Sequence, residues 1–405
     1  MQIVMGLVGI VFVLAVALAF SEKRRAIRLR TVVWAFALQA GLGLFVLYLP
    51  AGQQILLAIS RGVQAVIDSA GAGINFIFGS LAGGDTGFIF AIQVLSIIVF
   101  FSSLMSVLYY LGVMRLVIKL LGGAIYKLMG TSRPESLSAA ANIFVGQSEA
   151  PLVVRPFIAS MTRSELFAIM VGGLASVAGS VLAGYAAMGV NLQYLIAASF
   201  MAAPGGLLMA KLIIPETDAP AHDSDVSIAD EEPPANVIEA AATGAGTGVQ
   251  LALNVGGMLL AFISLIALAN IILGGIGGLF GHGELTLQLI LGYLFSPVAF
   301  LIGVPWSEAI TAGSFIGQKI VLNEFVAFSA LTGFEGELSQ HSRAIITFAL
   351  CGFANLSSIA ILLGGLAVLA PSRRGDVARL GPKAVLAGTL SNLMSASLAG
   401  LFLAL

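Results

Sequence analysis

A chain of 405 residues, 59% hydrophobic and 10% charged, cannot clothe itself in a surface fit for water, because soluble domains carry about 25% charged residues. A net charge of −1 leaves no electrostatic footprint for nucleic acid, and a single cysteine, Cys351, excludes an intramolecular disulfide framework. The apolar residues fall in continuous runs rather than the alternation of a β-barrel strand, so the chain reads as an all-α membrane protein.

The first run, 3–20, has no basic residue before it and a basic cluster after it, which argues against a cleavable signal peptide. Further runs at 33–49, 88–112, 166–189, 192–214, 251–280, 344–370 and 384–405 approach the roughly 20 residues that cross a bilayer. The count predicted is therefore eight transmembrane helices. Lysine and arginine concentrate in cytoplasmic loops. Here they cluster after the first helix (Lys23, Arg24, Arg25, Arg28, Arg30), after the third (Arg115, Lys119, Lys127, Arg133) and before the last (Arg373, Arg374, Arg379, Lys383). Placing these inside puts both termini outside, with Arg61 and Arg343 as the main basic residues there. The loop 215–234, which holds Glu216, Asp218, Asp223, Asp225, Asp230, Glu231 and Glu232, then reads as a solvated cytoplasmic linker between two halves. The three histidines, His222, His282 and His341, share no motif and lie in or near predicted loops, which argues against a histidine metal site.

Two segments of mixed character interrupt the spans. Residues 133–160 hold Glu149 and Arg155 with prolines at 151 and 156, and residues 304–328 hold Glu308, Lys319 and Glu324. Each divides into two short helical arms around a polar, glycine-bearing tip, Gly146-Gln147 and Gly317-Gln318. Arms this short cannot cross alone, so both segments are predicted to be re-entrant helical hairpins. Non-helical backbone at that depth is tolerated only when buried in protein or lining a wet cavity. Ionisable groups there are costly, which makes Glu149 and Glu324 functional candidates.

Each hairpin is followed by a related helix, Gly172 to Gly184 and Cys351 to Gly365, in which Gly173-Leu174-Ala175-Ser176 aligns with Gly352-Phe353-Ala354-Asn355. A helix, an amphipathic connector, a hairpin and two helices thus occur twice, over about 88–214 and 250–405, and the charge-derived topology places the two hairpins on opposite sides. That is an inverted repeat, the plan of many secondary transporters, which bind substrate near the midplane among broken helices.

The runs Ala141–Pro151 (ANIFVGQSEAP), Gly317–Phe328 (GQKIVLNEFVAF) and Cys351–Ile359 (CGFANLSSI) resemble the concentrative nucleoside transporter family, and the likeness extends over nearly the whole chain. The resemblance implies a sodium-coupled importer of nucleosides such as uridine, cytidine and adenosine. It also implies a homotrimer in a bacterial inner membrane with periplasmic termini, working by an elevator-type movement. Scaffold helices would occupy 1–112 and 249–282, transport halves 113–214 and 283–405, and a linker with an amphipathic helix 215–248. The resemblance places Gln147, Ser148 and Glu149 against the nucleobase, with Val181 nearby and Phe353 beside the base. It places Glu324, Asn355 and Ser358 against the ribose, and sodium on Asn142, Val145, Ser176 and Val177. Ser148 departs from the threonine of many members, keeping the hydroxyl.

The residues suit this chemistry in their own right. Gln147 and Asn355 offer both donors and acceptors to a flat polar base and a hydroxylated sugar, and an ionised Glu324 accepts strong charge-assisted bonds from sugar hydroxyls. Sodium, a hard cation, takes oxygen ligands: side-chain oxygens from Asn142 and Ser176, main-chain carbonyls from Val145 and Val177. A proton symporter using Glu149 or Glu324 is the competing transport reading, since buried carboxylates can hold protons. An intramembrane serine hydrolase lacks a GxSxG elbow and a placed histidine base. A channel would want a continuous pore with repeated polar rings rather than paired hairpins. No cofactor is implied beyond sodium as the coupling ion.

Overall fold

The computed structural model describes residues 2–82, 87–219 and 234–405, and over them it contains helices and no strand. The part of the acidic linker at 220–233, with His222 and Asp223 to Glu232, lies outside the described residues. The chain opens with α1 (Gln2–Ala19), α2 (Leu29–Leu47) and α3 (Pro50–Phe78). Pro50 is the N1 residue of α3, where its missing N–H costs nothing. Gly52 makes the sharp α2–α3 turn possible, because a Cβ there would stand 1.8 Å from the Phe45 carbonyl.

The first half of the repeat then runs through α4 (Phe90–Gln93), α5 (Leu95–Tyr110) and α6 (Val113–Met129). Hairpin 1 follows as α7 (Arg133–Ala141) and, beyond a non-helical tip, the 3-10 turn Ala150–Val154 with α8 (Arg155–Ile158). A broken span, α9 (Arg163–Ala175) and α10 (Gly179–Ala187), leads to α11 (Leu192–Ile213). The second half repeats the order: α12 (Val237–Gly278), α13 (Leu287–Leu301), hairpin 2 as α14 (Trp306–Val321) and α15 (Glu324–Thr332), a broken span α16 (Gln340–Leu350) and α17 (Ser358–Leu369), and α18 (Arg374–Leu403). Side-chain N-caps start many of these helices. Ser132 with Glu135 and Thr162 with Glu165 form full capping boxes at α7 and α9.

Three sequence expectations are corrected. The run 344–370 is not one helix, since the chain leaves helical geometry between Leu350 and Ser358. Eight helical stretches among the described residues are long and apolar enough to cross a bilayer, but Pro50–Ala82 takes the place of 344–370 among them. Its polar residues Gln53, Arg61, Gln64 and Asp68 are spread along the helix, so no continuous apolar run marks it in the sequence. Finally, α12 is one helix of 42 residues that begins at Val237, so the expected linker boundary at 248 falls inside it.

Burial separates an inner group from a shell. In their most apolar windows α9–α10, α11 and α18 are 94%, 94% and 89% buried, against 28%, 22% and 11% for α1, α2 and α12. The shell therefore presents apolar side chains outward, Phe76, Leu260 and Ile271 among them, as a bilayer requires. The halves meet where α5 crosses α12. Gly244 and Gly248 lie so close to Ser102, Ser106 and Val99 that a Cβ on either would approach within 2.5–2.8 Å, the small-residue contact that lets membrane helices approach.

Contacts with α1 fix the directions of the hairpins. At the C-terminal end of α1, Glu22 N donates to Ile213 O (2.9 Å), and the Glu22 carboxylate accepts from Arg163 (2.7 and 2.9 Å) and Lys383 (2.5 Å). The base of hairpin 1 is at this end too. Glu135 and Lys211 pair there, Thr162 donates to Glu216 (2.8 Å), and Ser164 donates to the Ile214 carbonyl (2.7 Å). At the other end of α1, Gly6 packs on Leu401 and approaches Gly303, just before hairpin 2. The hairpins thus enter from opposite ends of the bundle, the geometry of an inverted repeat. Arg30 on Lys127 O (3.1 Å) and Arg373 on Met161 O (2.6 Å) bring parts of the three basic clusters to the Glu22 end.

Candidate functional site

A broken helix exposes backbone donors and acceptors that cannot be left bare at membrane depth. In the first half the break is Ser176–Ala178, where Ser176 turns extended (φ −108°, ψ 173°). Gly179 N, beyond it, donates to Phe144 O in the tip of hairpin 1 (2.8 Å). The second half uses the same device: Leu356 N donates to Ile320 O in hairpin 2 (3.1 Å). The two breaks also join each other, Phe353 N to Ser176 O at 3.1 Å. Asn392 of α18 completes the junction, its Nδ2 donating to Ala175 O (2.7 Å) and Cys351 O (2.9 Å) while its Oδ1 accepts from Lys319 Nζ (2.9 Å).

Side chains of the two halves interlock around this junction. Gln147 Nε2, from hairpin 1, donates to Ser358 Oγ at the start of α17 (3.3 Å). Tyr185 Oη, from α10, donates to Glu324 Oε1 in hairpin 2 (3.1 Å), and Asn355 Nδ2 donates to Glu324 Oε2 (2.9 Å). The Asn355 orientation is set from its other side, where its Oδ1 accepts from Ser358 N (2.9 Å) and Ser357 Oγ (2.7 Å). Below Glu324, Tyr185 packs between Phe325 and Phe328, with ring centroids at 4.7 and 4.6 Å. The Phe353 ring lies by Gly146, 3.8 Å from where a Cβ would stand. Gln147, Glu324, Asn355, Ser358 and Phe353 are thus brought together from hairpin 1, hairpin 2 and the second broken span.

The remaining expected residues sit around this set. Val181 is buried on α10 beyond the break. Ser148 is exposed and faces the backbone of Gly365 on α17. Glu149 folds back onto its own tip, Oε2 accepting from Gly146 N (3.2 Å). Arg155 is exposed at the start of α8. Gly317-Gln318, expected as the second tip, lies within α14. The turn is at Leu322-Asn323, where Asn323 caps α15 through Val326 N (2.9 Å), and Gly317 instead packs on Leu291 and Phe295.

Asn142 and Ser176 meet at Gly172. Ser176 Oγ donates to Gly172 O (2.9 Å), and Asn142 Nδ2 would stand 3.0 Å from a Cβ on Gly172. Asn142 Nδ2 donates to Ser138 O (3.0 Å), which leaves its Oδ1 buried without a hydrogen-bond partner. Val145 and Val177 are buried in non-helical backbone beside them. An orphaned amide oxygen, a hydroxyl and unwound carbonyls are a donor set suited to a hard monovalent cation. Among the described residues no group of three His, Cys, Asp or Glu side chains could hold a transition metal.

Tyr185 and Asn392 are functional candidates that the sequence reading missed. Tyr185 is the one phenol in Gly179–Ala187 and Asn392 the one amide in Leu390–Leu403, where the other polar residues are serines. Those larger groups are the signal that could have found them, because a strongly polar group in hydrocarbon must have a partner.

Comparison with known proteins identifies three matching regions: the N-terminal part of the Na+ dependent nucleoside transporters over residues 8–81, a nucleoside-recognition gate over 91–192, and the C-terminal part of the same transporters over 194–400. The chain is 54% identical to the nucleoside permease NupC of Helicobacter pylori, over 99% of its own length and 98% of the permease. Among solved structures it resembles CNTnw in an inward-facing substrate-bound state (TM-score 0.95, 59% identity, 99% of this chain and 98% of that one). It also resembles a CNTnw variant in an outward-facing state (TM-score 0.97, 58% identity, 100% and 99%).

Proposed function

From the premise that this chain belongs to the concentrative nucleoside transporter family, a family of transporters and not of enzymes, we propose that it imports nucleosides by symport with sodium, through an elevator-type exchange of access. One observation carries the reading: side chains from both hairpins and both broken helices converge on a single buried junction. A site built across two halves that enter from opposite ends can be exposed to either side by moving as one body. Gln147 and Phe353 are positioned for a planar base, and Glu324, Asn355 and Ser358 for a hydroxylated sugar. Ser148, Glu149 and Val181 line the base side as hairpin 1 closes on substrate.

Sodium would be held by Asn142, Val145, Ser176 and Val177. The support is the orphaned Asn142 oxygen and the shared contact on Gly172. An ion there would tie the tip of hairpin 1 to the break of α9–α10. That fixes Gln147, whose backbone lies on Gly173, so ion binding would prepare the base contact. The likeness to inward- and outward-facing structures of CNTnw supports alternating access. The exposed apolar faces of α3 and α12 suit lipid and the subunit contacts of a homotrimer. Basic residues gathered at the Glu22 end favour that end as cytoplasmic, with both termini periplasmic in a bacterial inner membrane.

Uptake of labelled uridine into proteoliposomes, with external sodium replaced by choline at fixed pH, tests the reading. Accumulation above the outside concentration only with sodium is expected. Equal accumulation in choline that collapses with the pH gradient would instead make the protein a proton symporter.

A further inference from the structure

Lys319 is 1% exposed, yet it makes no ion pair among the described residues and its ammonium has one hydrogen bond, to Asn392 Oδ1 at 2.9 Å. Asn392 cannot turn away, because its amide nitrogen is committed to Ala175 O and Cys351 O. Those carbonyls close the C-terminal ends of the half-helices α9 and α16, the negative ends of their dipoles. The ammonium therefore stands where two such ends converge, on the arm of hairpin 2 that leads to Glu324. The other buried lysine, Lys211, is paired with Glu135 at the end of the bundle.

The position is close to that of a sodium ligand in the other half, though one residue out of register with it. In the first half Asn142 lies two residues before Phe144, the hairpin residue whose carbonyl receives a backbone N–H from beyond the break, and in the second half Lys319 lies one residue before Ile320, whose carbonyl receives a backbone N–H from Leu356. Both polar side chains lie at a junction of hairpin tip and helix break. One junction offers oxygen atoms and the other already contains a cation.

We propose that Lys319 is a built-in cation that fills, in the second half of the repeat, the place sodium takes in the first, and so holds the coupling to one sodium per nucleoside. The inference rests on the sodium-symport reading. The two carboxylates of the hairpin tips, Glu149 and Glu324, are then met by one fixed and one mobile positive charge, and a neutral nucleoside adds none. Removing the fixed charge leaves Glu324 and two helix ends facing the junction without a cation, a site for a second sodium.

The test is the sodium dependence of initial uridine uptake by the full-length protein in proteoliposomes, for wild type, Lys319→Arg and Lys319→Gln. By linkage the steepness follows the number of ions taken up, so Hill coefficients of about one, one and two are expected. A coefficient of about one in Lys319→Gln, with only weaker uridine binding, overturns the proposal and leaves Lys319 a structural residue. Uptake by wild type that ignores sodium would defeat the symport reading itself, whatever the variants do. Should Lys319→Gln fail to fold, Lys319→Ala purified with and without ethylammonium decides. Recovery of melting temperature and uridine binding with the added cation supports the proposal, and no recovery overturns it.

Discussion

At the residue scale the site is a set of side chains whose orientation is fixed by partners on other segments. Asn392 is the extreme case, with both amide N–H groups given to two helix ends and its oxygen accepting from Lys319. Asn392→Leu strips three buried groups of their partner, each worth roughly 1–3 kcal/mol. A marked drop in melting temperature is expected, whereas the neighbouring Ser391→Ala, which removes a buried hydroxyl with no partner, should leave melting nearly unchanged or raise it. Equal melting of both variants would remove Asn392 from the junction. Glu324 is held by Tyr185 and Asn355 with lone pairs to spare. Glu324→Gln should weaken uridine by roughly ten- to a hundredfold, the worth of a charged hydrogen bond, and weaken a deoxy analogue lacking the contacted hydroxyl much less. A parallel loss for every analogue, with earlier melting, would assign Glu324 to the fold alone. Gln147, Glu324, Asn355 and Ser358 stand in the motifs that carry the family resemblance, each near other polar residues. Tyr185 and Asn392 escaped because each stands outside those motifs, among small, apolar and hydroxyl residues, and its partner is known only once the chain is folded.

At the element scale the repeat was legible and its breakpoints were not. The order of helix, connector, hairpin and two helices is in the pattern of apolar runs. The tip of hairpin 2 is not, because Gly317 resembles a turn glycine while its actual use is close packing on α13. Nor does a hydropathy run alone reveal that 344–370 is broken, since Asn355 is the one strongly polar side chain within it. Glycines on α12 show how packing resolves such ambiguity. Gly248 lies against Val99 and Ser102 of α5, whereas nothing approaches Gly246. Gly248→Leu should therefore force α5 and α12 apart, costing about 1–3 kcal/mol as overpacking does, while Gly246→Leu should be tolerated. Thermal melting in detergent distinguishes the two, and equal tolerance would contradict the close crossing.

At the scale of the whole molecule, burial divides a dense inner group from an apolar shell, and few polar contacts cross between them. The clasp at Glu22 is one, tying the α1–α2 loop to Arg163 at the start of α9 and to Lys383 on α18. Partial burial pushes the Glu22 carboxyl up, but the Lys383 hydrogen bond and the charges of Arg163 and Lys383 outweigh it and hold the group below the usual carboxylate range. A depressed carboxylate contributes stability above its unfolded pKa, about 4.3 for Glu, and loses it as the pH falls through the lower folded value. Wild type should thus melt slightly above Glu22→Gln at neutral pH, and the difference should fade below about pH 4. The effect is small because the partners are partly exposed. A difference that persists unchanged into acid would show that the clasp does not act through charge.

The central claim is that an ion at the tip of hairpin 1 and a nucleoside at the junction stabilise each other's binding. Calorimetric titration of the purified protein with uridine over a series of sodium concentrations, with ionic strength held by choline, tests it directly. Linkage makes the slope of log affinity against log sodium equal to the ions taken up with substrate. The account predicts a limiting slope of about one in wild type, and a sodium response displaced to much higher concentration in Asn142→Ala, where the orphaned oxygen is gone. A flat line in wild type, with uridine bound as tightly in choline as in sodium, would contradict it.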